Sequence, residues 1–142
     1  ALTTGGLEGA LRELAGRCPL ATSVSTRDLA RYSVDVETAV YFCVAEALQN
    51  AAKHAVNAGQ VLVDVRDTGG VLLFVVSDDG RGDPRMPIIA GQGVTNMRPR
   101  VAALDGTLDL TPPAGGGTEV RGSIPLPIGL PSFTHGAPVS LA

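Results

Sequence analysis

The sequence predicts an α+β fold: a two-layer sandwich in which about three helices cover one face of a mostly antiparallel, mixed sheet. Three observations point there. The apolar pattern changes period along the chain in the order helix, strand, helix, two strands, helix, two strands. Both late strand pairs are joined by Gly-containing turns of the kind that close hairpins. And 142 residues with 44% hydrophobic content suit one domain around one core.

The elements follow in order. In "GLEGALRELAGRCP", Leu7, Leu11 and Leu14 recur at helical spacing before the stop signals Gly16 and Pro19, so a short amphipathic helix opens the chain. "ATSVST", 21–26, is a short strand. Ser33 or Asp35 caps a long helix that runs to about Ala55, with Val36, Val40, Cys43 and Ala47 on its apolar stripe. Val61, Val63 and Val65 alternate with Leu62, Asp64 and Arg66, as a half-buried strand requires. "DTGG" then turns the chain into "VLLFVV", 71–76, whose unbroken apolar run predicts a central strand covered on both faces. Residues 79–95 are rich in Gly and Pro without a period and read as a long loop, of the kind that is functional or mobile. A helix over about 96–104 follows, and "GTLDL" and "TEVRGSIPL" form a second hairpin around "TPPAGGG". Residues 1–126 are thus the folded domain and 127–142 a poorly ordered tail.

Bulk composition narrows the function. A net charge of −3 and a pI near 5.2 argue against a basic nucleic-acid footprint spread over the whole domain, though not against a local basic patch. Cys18 and Cys43 have no metal-ligand spacing. Cys43 reads as a small core residue, and the pair fits a reducing, cytoplasmic setting. The longest apolar run, 71–76, is far too short to cross a bilayer, so no membrane contact is expected of the domain itself. No leader pattern opens the chain, and its start reads as a cut from a longer protein, whose remainder can still be membrane-anchored.

Four stretches can carry chemistry. On the long helix, Glu46, Asn50, Lys53 and His54 fall on one stripe. On an arbitrary helix such a stripe is usually a solvated face. Here the rest of the helix is nearly all apolar, so a carboxylate and an amide in that setting need partners. Both are hard ligands of the type Mg²⁺ accepts. "SDDGRGD", 77–83, puts Asp78 at a strand end before Gly80 and Gly82, which is either a common Asp-Gly turn or a place where backbone approaches a ligand. "GQGVTN", 91–96, sets Gly91 and Gly93 ahead of a helix start, where free N–H groups favour an anion. In "GGGT", 115–118, Thr118 either donates to a ligand or simply begins a strand.

Taken singly these signals are weak; their order is not. Glu-x-x-x-Asn on a helix, Asp-x-Gly-x-Gly after a strand, Gly-x-Gly before a helix and Gly-Thr at a strand start resemble the motifs of the Bergerat-type ATP-binding fold. Gyrase, heat-shock chaperones, mismatch-repair ATPases and histidine kinases share it. "AEALQNAAKHA", "VSDDGRGD" and "GQGVTNMRPRVAALDGTLDL…GGGTEVRGSIPL" are most similar to sensor histidine kinases of the nitrate-sensor and desaturase-sensor type.

That resemblance implies ATP and Mg²⁺ as ligands. Asn50 would hold the Mg²⁺ that bridges the phosphates, and Glu46 would be the catalytic acid that polarises the attacking group or a metal-bound water. Asp78 would accept from the adenine amino group, with Thr118 supporting it. Gly80 and Gly82 would admit base and sugar. Gly91 and Gly93 would lie by the phosphates, with 83–92 as a lid and Lys53 and His54 facing phosphate. Two positions depart from the pattern: Asn96 stands in place of Gly and Pro99 in place of an acid. Pro99 is best accommodated if Asn96 caps the helix and Pro99 is its third residue. Arg98 and Arg100 read as surface residues.

Only His54 and His135 are present, and neither sits where a phosphoacceptor belongs. The resemblance therefore implies a catalytic domain whose partners are a histidine-bearing dimerisation domain of the parent kinase and, through the full-length protein, a response regulator. The alternatives are an anti-sigma-factor serine kinase of the same fold and a degenerate domain that binds a partner protein and no nucleotide.

Overall fold

The computed structural model describes residues 2–56, 59–79, 81–82, 92–111 and 118–126, with 2–5, 53–56, 81–82, 92–95, 111 and 118 described by backbone alone. Along the chain run α1 (Leu2–Arg17), β1 (Ala21–Arg27), α2 (Val34–His54), β2 (Ala55–Val56), β3 (Gln60–Asp67), β4 (Val71–Asp78), β5 (Arg81–Gly82), α3 (Gln92–Ala102), β6 (Thr107–Thr111) and β7 (Thr118–Pro125). The main sheet has the order β1-β3-β4-β7-β6. β1 pairs with β3 in parallel and the other neighbours are antiparallel, so the sheet is mixed as the sequence predicts.

Period-2 patterning decides which face of the sheet is dry. Val61, Val63 and Val65 on β3, Leu72, Phe74 and Val76 on β4, Val120 and Ile124 on β7, and Leu108 on β6 are buried. They meet Leu7 and Leu11 of α1, Val40, Cys43, Val44 and Leu48 of α2, and Met97 and Val101 of α3. Each such side chain removed from water contributes about 1.5–3 kcal/mol. The opposite face carries Leu62, Leu73 and Val75 beside Asp64, Arg66, Glu119 and Arg121, and no helix among the described residues covers it. The expectation that β4 is covered on both faces is therefore wrong: its burial alternates, because the helices form a single layer.

One position on the dry face lacks a side chain. Gly122 stands opposite Phe74 across β4–β7, and a Cβ there would collide with the Phe74 ring, which is fully buried. A large aromatic beside a glycine fills the layer without overpacking it.

α2 starts where Ser33 caps it. The Val36 N–H donates to Ser33 Oγ at 3.3 Å and the Glu37 N–H to the Ser33 carbonyl at 3.0 Å. Glu37 is buried yet satisfied: it accepts from the Tyr32 N–H at 3.0 Å and from the Arg31 guanidinium at 3.2 Å. The Tyr32 hydroxyl in turn donates to Asp67 Oδ2 at 2.6 Å, fastening the helix entry to the end of β3. Partial burial, and then that hydrogen bond, raise the Tyr32 pKa well above the usual phenol value.

Two expectations about residues 79–104 need correction. The stretch 79–95 is not wholly loop, because Arg81–Gly82 pairs antiparallel with Ala55–Val56 and α3 already begins at Gln92. Asn96 is consequently not a cap, and Pro99 lies inside the helix rather than at its third position. Proline there leaves the carbonyl four residues earlier without its usual partner. Packing of Met97 and Val101 into the core holds the helix regardless. Its far end is closed by a left-handed Asp105 (φ 62°), with the Asp105 N–H donating to the Ala102 carbonyl and the Gly106 N–H to the Val101 carbonyl, both at 2.9 Å. A Cβ at Gly106 would strike the Ser123 carbonyl and the Val101 side chain, so α3, β6 and β7 meet at that residue. α1 is kinked at Gly6 (φ 66°, ψ −164°), so its amphipathic part from Leu7 onward is a helical segment of its own.

Candidate nucleotide site

The C-terminal half of α2 lies across the ends of β4, β6 and β7, and a cleft opens between them. Ala47, Asn50 and Ala51 form its helical wall, and Val76, Asp78, Leu110 and Val120 the sheet wall; the cavity they enclose is about 10 Å³, the room of a single water. The helical spacing that puts Asn50 on this wall also puts Ala47 and Ala51 there, and their small side chains leave the room. Asp78, the last residue of β4, is buried and pairs with Val61 on one side and Thr118 on the other. Among the described residues the lining is five apolar side chains and two polar groups, the chemistry that a mostly apolar ring with N–H donors on its edge would meet, although the cavity as it stands is smaller than such a ring. Asp78 supplies the acceptor for such donors.

Each expected site residue can now be placed. Asn50 and Asp78 line one cleft, and Thr118 is the backbone partner of Asp78 on β7. Glu46 is half-buried on α2 but is not part of the cleft wall. Lys53 and His54 are the last two residues of α2, one turn beyond Asn50. Gly82 pairs with Ala55 in the small β2–β5 ribbon, and Gly93 is the second residue of α3. Gly80 and Gly91 lie outside the described residues, as do the lid 83–92 apart from Gln92 and the tail 127–142.

α3 is held against α2 by a contact that the sequence does not announce. The Arg100 guanidinium sits 3.8 Å from the centroid of the Phe42 ring; Arg100 is exposed, as the sequence reading expects, and it packs on Phe42 from the surface. Cys43, beside Phe42, is fully buried as expected. Burial pushes its thiol up to about 12, with Arg100 opposing and Glu46 reinforcing the shift, so the thiol stays protonated and unreactive. Sequence reasoning missed the alanine walls, Leu110 and the β2–β5 ribbon. Of these only Ala47 and Ala51, four apart and flanking Asn50, left a readable signal.

A cation site can be tested in the same terms. Among the described residues no group of three His, Cys, Asp or Glu side chains could hold a metal. On the helical wall, among the described residues, the Asn50 amide oxygen is the one hard donor lining the cleft, which fits Mg²⁺ that completes its shell from phosphates and water. Among the described residues no helix is long and apolar enough to cross a membrane.

Residues 35–128, more than half of the chain, match the family described as histidine kinase-, DNA gyrase B- and HSP90-like ATPase. The chain belongs to this ATPase family. Its relatives within the ATPase family include the signal transduction histidine-protein kinase/phosphatase UhpB of Salmonella typhimurium, 41% identical over 80 residues that make up 56% of this chain and 15% of that protein. The histidine-protein kinase/phosphatase DegS of Brevibacillus brevis is 34% identical over 97 residues, 68% of this chain and 25% of that protein. Among solved structures, the histidine kinase domain of the blue-light activated kinase EL346 from Erythrobacter litoralis superposes with a TM-score of 0.64 at 28% identity, covering 85% of this chain and 59% of that one. The α+β fold and the resemblance to sensor histidine kinases are thus borne out at the level of this ATPase domain. The chain spans a quarter or less of the two full-length relatives.

Proposed function

We propose that the cleft binds ATP with Mg²⁺ and that the chain is the catalytic domain of a sensor histidine kinase. The observation that carries this reading is that Asn50 and Asp78, far apart in sequence, line one otherwise apolar slot. Asp78 accepts from the adenine amino group, which favours adenine over guanine. Ala47, Ala51, Val76, Leu110 and Val120 exclude water from the ring faces. Asn50 is the protein's ligand to Mg²⁺, which when bound neutralises phosphate charge. Thr118 braces Asp78, and Gly80 and Gly82 keep backbone near base and sugar. Gly91, Gly93, Lys53 and His54 lie on the phosphate side, where the first turn of α3 offers free N–H groups.

Phosphoryl transfer asks a protein mainly for positioning and charge neutralisation, so the absence of a nucleophile from this site is no obstacle. Glu46, one turn before Asn50, is the remaining carboxylate of this half of α2 and polarises the attacking imidazole. That imidazole belongs to the dimerisation domain of the parent kinase, and the phosphoryl group passes on to a response regulator. The domain works in the cytoplasm, where ATP is available. Titration of the chain with ATP and GTP, with and without Mg²⁺, in a calorimeter tests the reading. Mg²⁺-dependent binding of ATP over GTP is expected. No binding of either nucleotide would overturn it in favour of a nucleotide-free interaction domain.

A further inference from the structure

The cleft is built from α2 and β4, which the chain joins through β2 and β3. α2, with Asn50, ends at His54, and β4, with Asp78, ends one residue before Asp79. Between α2 and β3 run β2 and the short link to Gly59. Asp79 closes that gap. Its Oδ1 accepts from the Gly59 N–H at 2.8 Å and the Gln60 N–H at 3.0 Å, and its own N–H donates to the Gln60 carbonyl at 3.2 Å. On the far side of Asp79, Arg81–Gly82 pairs with Ala55–Val56. The segment leaving the Asn50 helix is therefore tied twice to the segment leaving Asp78, once by a side-chain clamp and once by a two-residue ribbon.

We infer that Asp79 is a positioning residue for the nucleotide site, acting by holding the α2–β3 link against the end of β4. Asp79 follows Asp78 but does not itself line the cleft, so it acts through Asn50 and Asp78. The two backbone donors also hold its carboxyl below the usual range, the Gln60 bond first and the Gly59 bond next, as expected for a carboxylate that accepts from N–H groups. This inference rests on the reading of the cleft as an ATP site.

The test compares the full chain with Asp79→Ala and Asp79→Asn, measuring ATP affinity with Mg²⁺ by calorimetry and the Gly59 and Gln60 amide signals by NMR. Small misplacements of a binding group carry large costs, so Asp79→Ala is expected to weaken ATP roughly tenfold while circular dichroism stays that of a folded chain. Asp79→Asn keeps an acceptor oxygen and is expected to restore most of the affinity together with both amide signals. Unchanged affinity in Asp79→Ala overturns the inference. So does an Asn variant as weak as the Ala variant, because the acceptor would then not be what matters. If Asp79→Ala does not fold, Asp79→Glu replaces it, moving the acceptor by one methylene: weakened binding supports the role and unchanged binding overturns it. A wild-type chain that takes no ATP sinks the site reading itself, whereas wild-type binding with indifferent variants sinks only the role of Asp79.

Discussion

Asp78 and Thr118 stand directly opposite each other, as the last residue of β4 and the first of β7. Two motif residues separated by forty positions of sequence thus share one rung of the ladder at the cleft. Asp78 is buried there, and in the function proposed above its carboxylate accepts from the adenine amino group. Asp78→Asn should weaken ATP binding by about 1–3 kcal/mol, the cost of losing a hydrogen bond to a charged group. Calorimetric titration checks it, and equal affinity would reduce Asp78 to a strand terminator.

Asn50 makes a separable contribution. Its amide is the cleft's single hard donor on the helical side. Asn50→Ala should leave some nucleotide binding and abolish its dependence on Mg²⁺. Titrations across a range of Mg²⁺ concentrations measure that linkage, and an unaltered slope would remove Asn50 from the metal site.

Gly122 tests the core. A methyl group at this position must displace the Phe74 ring, so Gly122→Ala should destabilise the fold by roughly 1–3 kcal/mol, as overpacking does. Shrinking the ring in the double variant Gly122→Ala with Phe74→Leu should recover part of the loss. Urea unfolding of the single and double variants reads both effects, and strict additivity would place the strain elsewhere.

The Tyr32–Asp67 bond predicts an alkaline limit. Tyr32 has a raised pKa in the folded chain, so the fold favours the protonated phenol. Stability from this source is fully present below the unfolded phenol value of about 10 and is lost as pH rises through the higher folded value. Tyr32→Phe should be less stable near neutral pH and should lose less stability above pH of about 10. Thermal melts at several alkaline pH values would show parallel curves if the bond contributed nothing.

What the sequence made legible was whatever had a period or a turn signal. The valines of β3, the "DTGG" turn, the Ser33 cap and the leucines of α1 all lie where the pattern puts them. Legibility ended where tertiary context decides. "VLLFVV" reads the same whether one face is covered or two, and only the single helix layer leaves Leu73 and Val75 half-exposed. Two-residue strands such as β2 and β5 have no period to read. The sequence sets the start of α3 too late because Pro99 reads as a helix breaker, while Met97 and Val101, buried on one face, outweigh it. In the site, Asn50 and Asp78 are found through their motifs, but Glu46 does not line the cleft. Asp79, written beside Asp78 in the sequence, has its role set by a fold contact with residues 59 and 60.

The interior proline gives α3 a mechanical character. From Met97 onward the helix is moored by core packing, by Arg100 over Phe42 and by the closure at Asp105 and Gly106. Between its first turn, with Gly93, and that mooring Pro99 removes one rung of the helical ladder, the bond to the carbonyl of residue 95, while the neighbouring rungs remain.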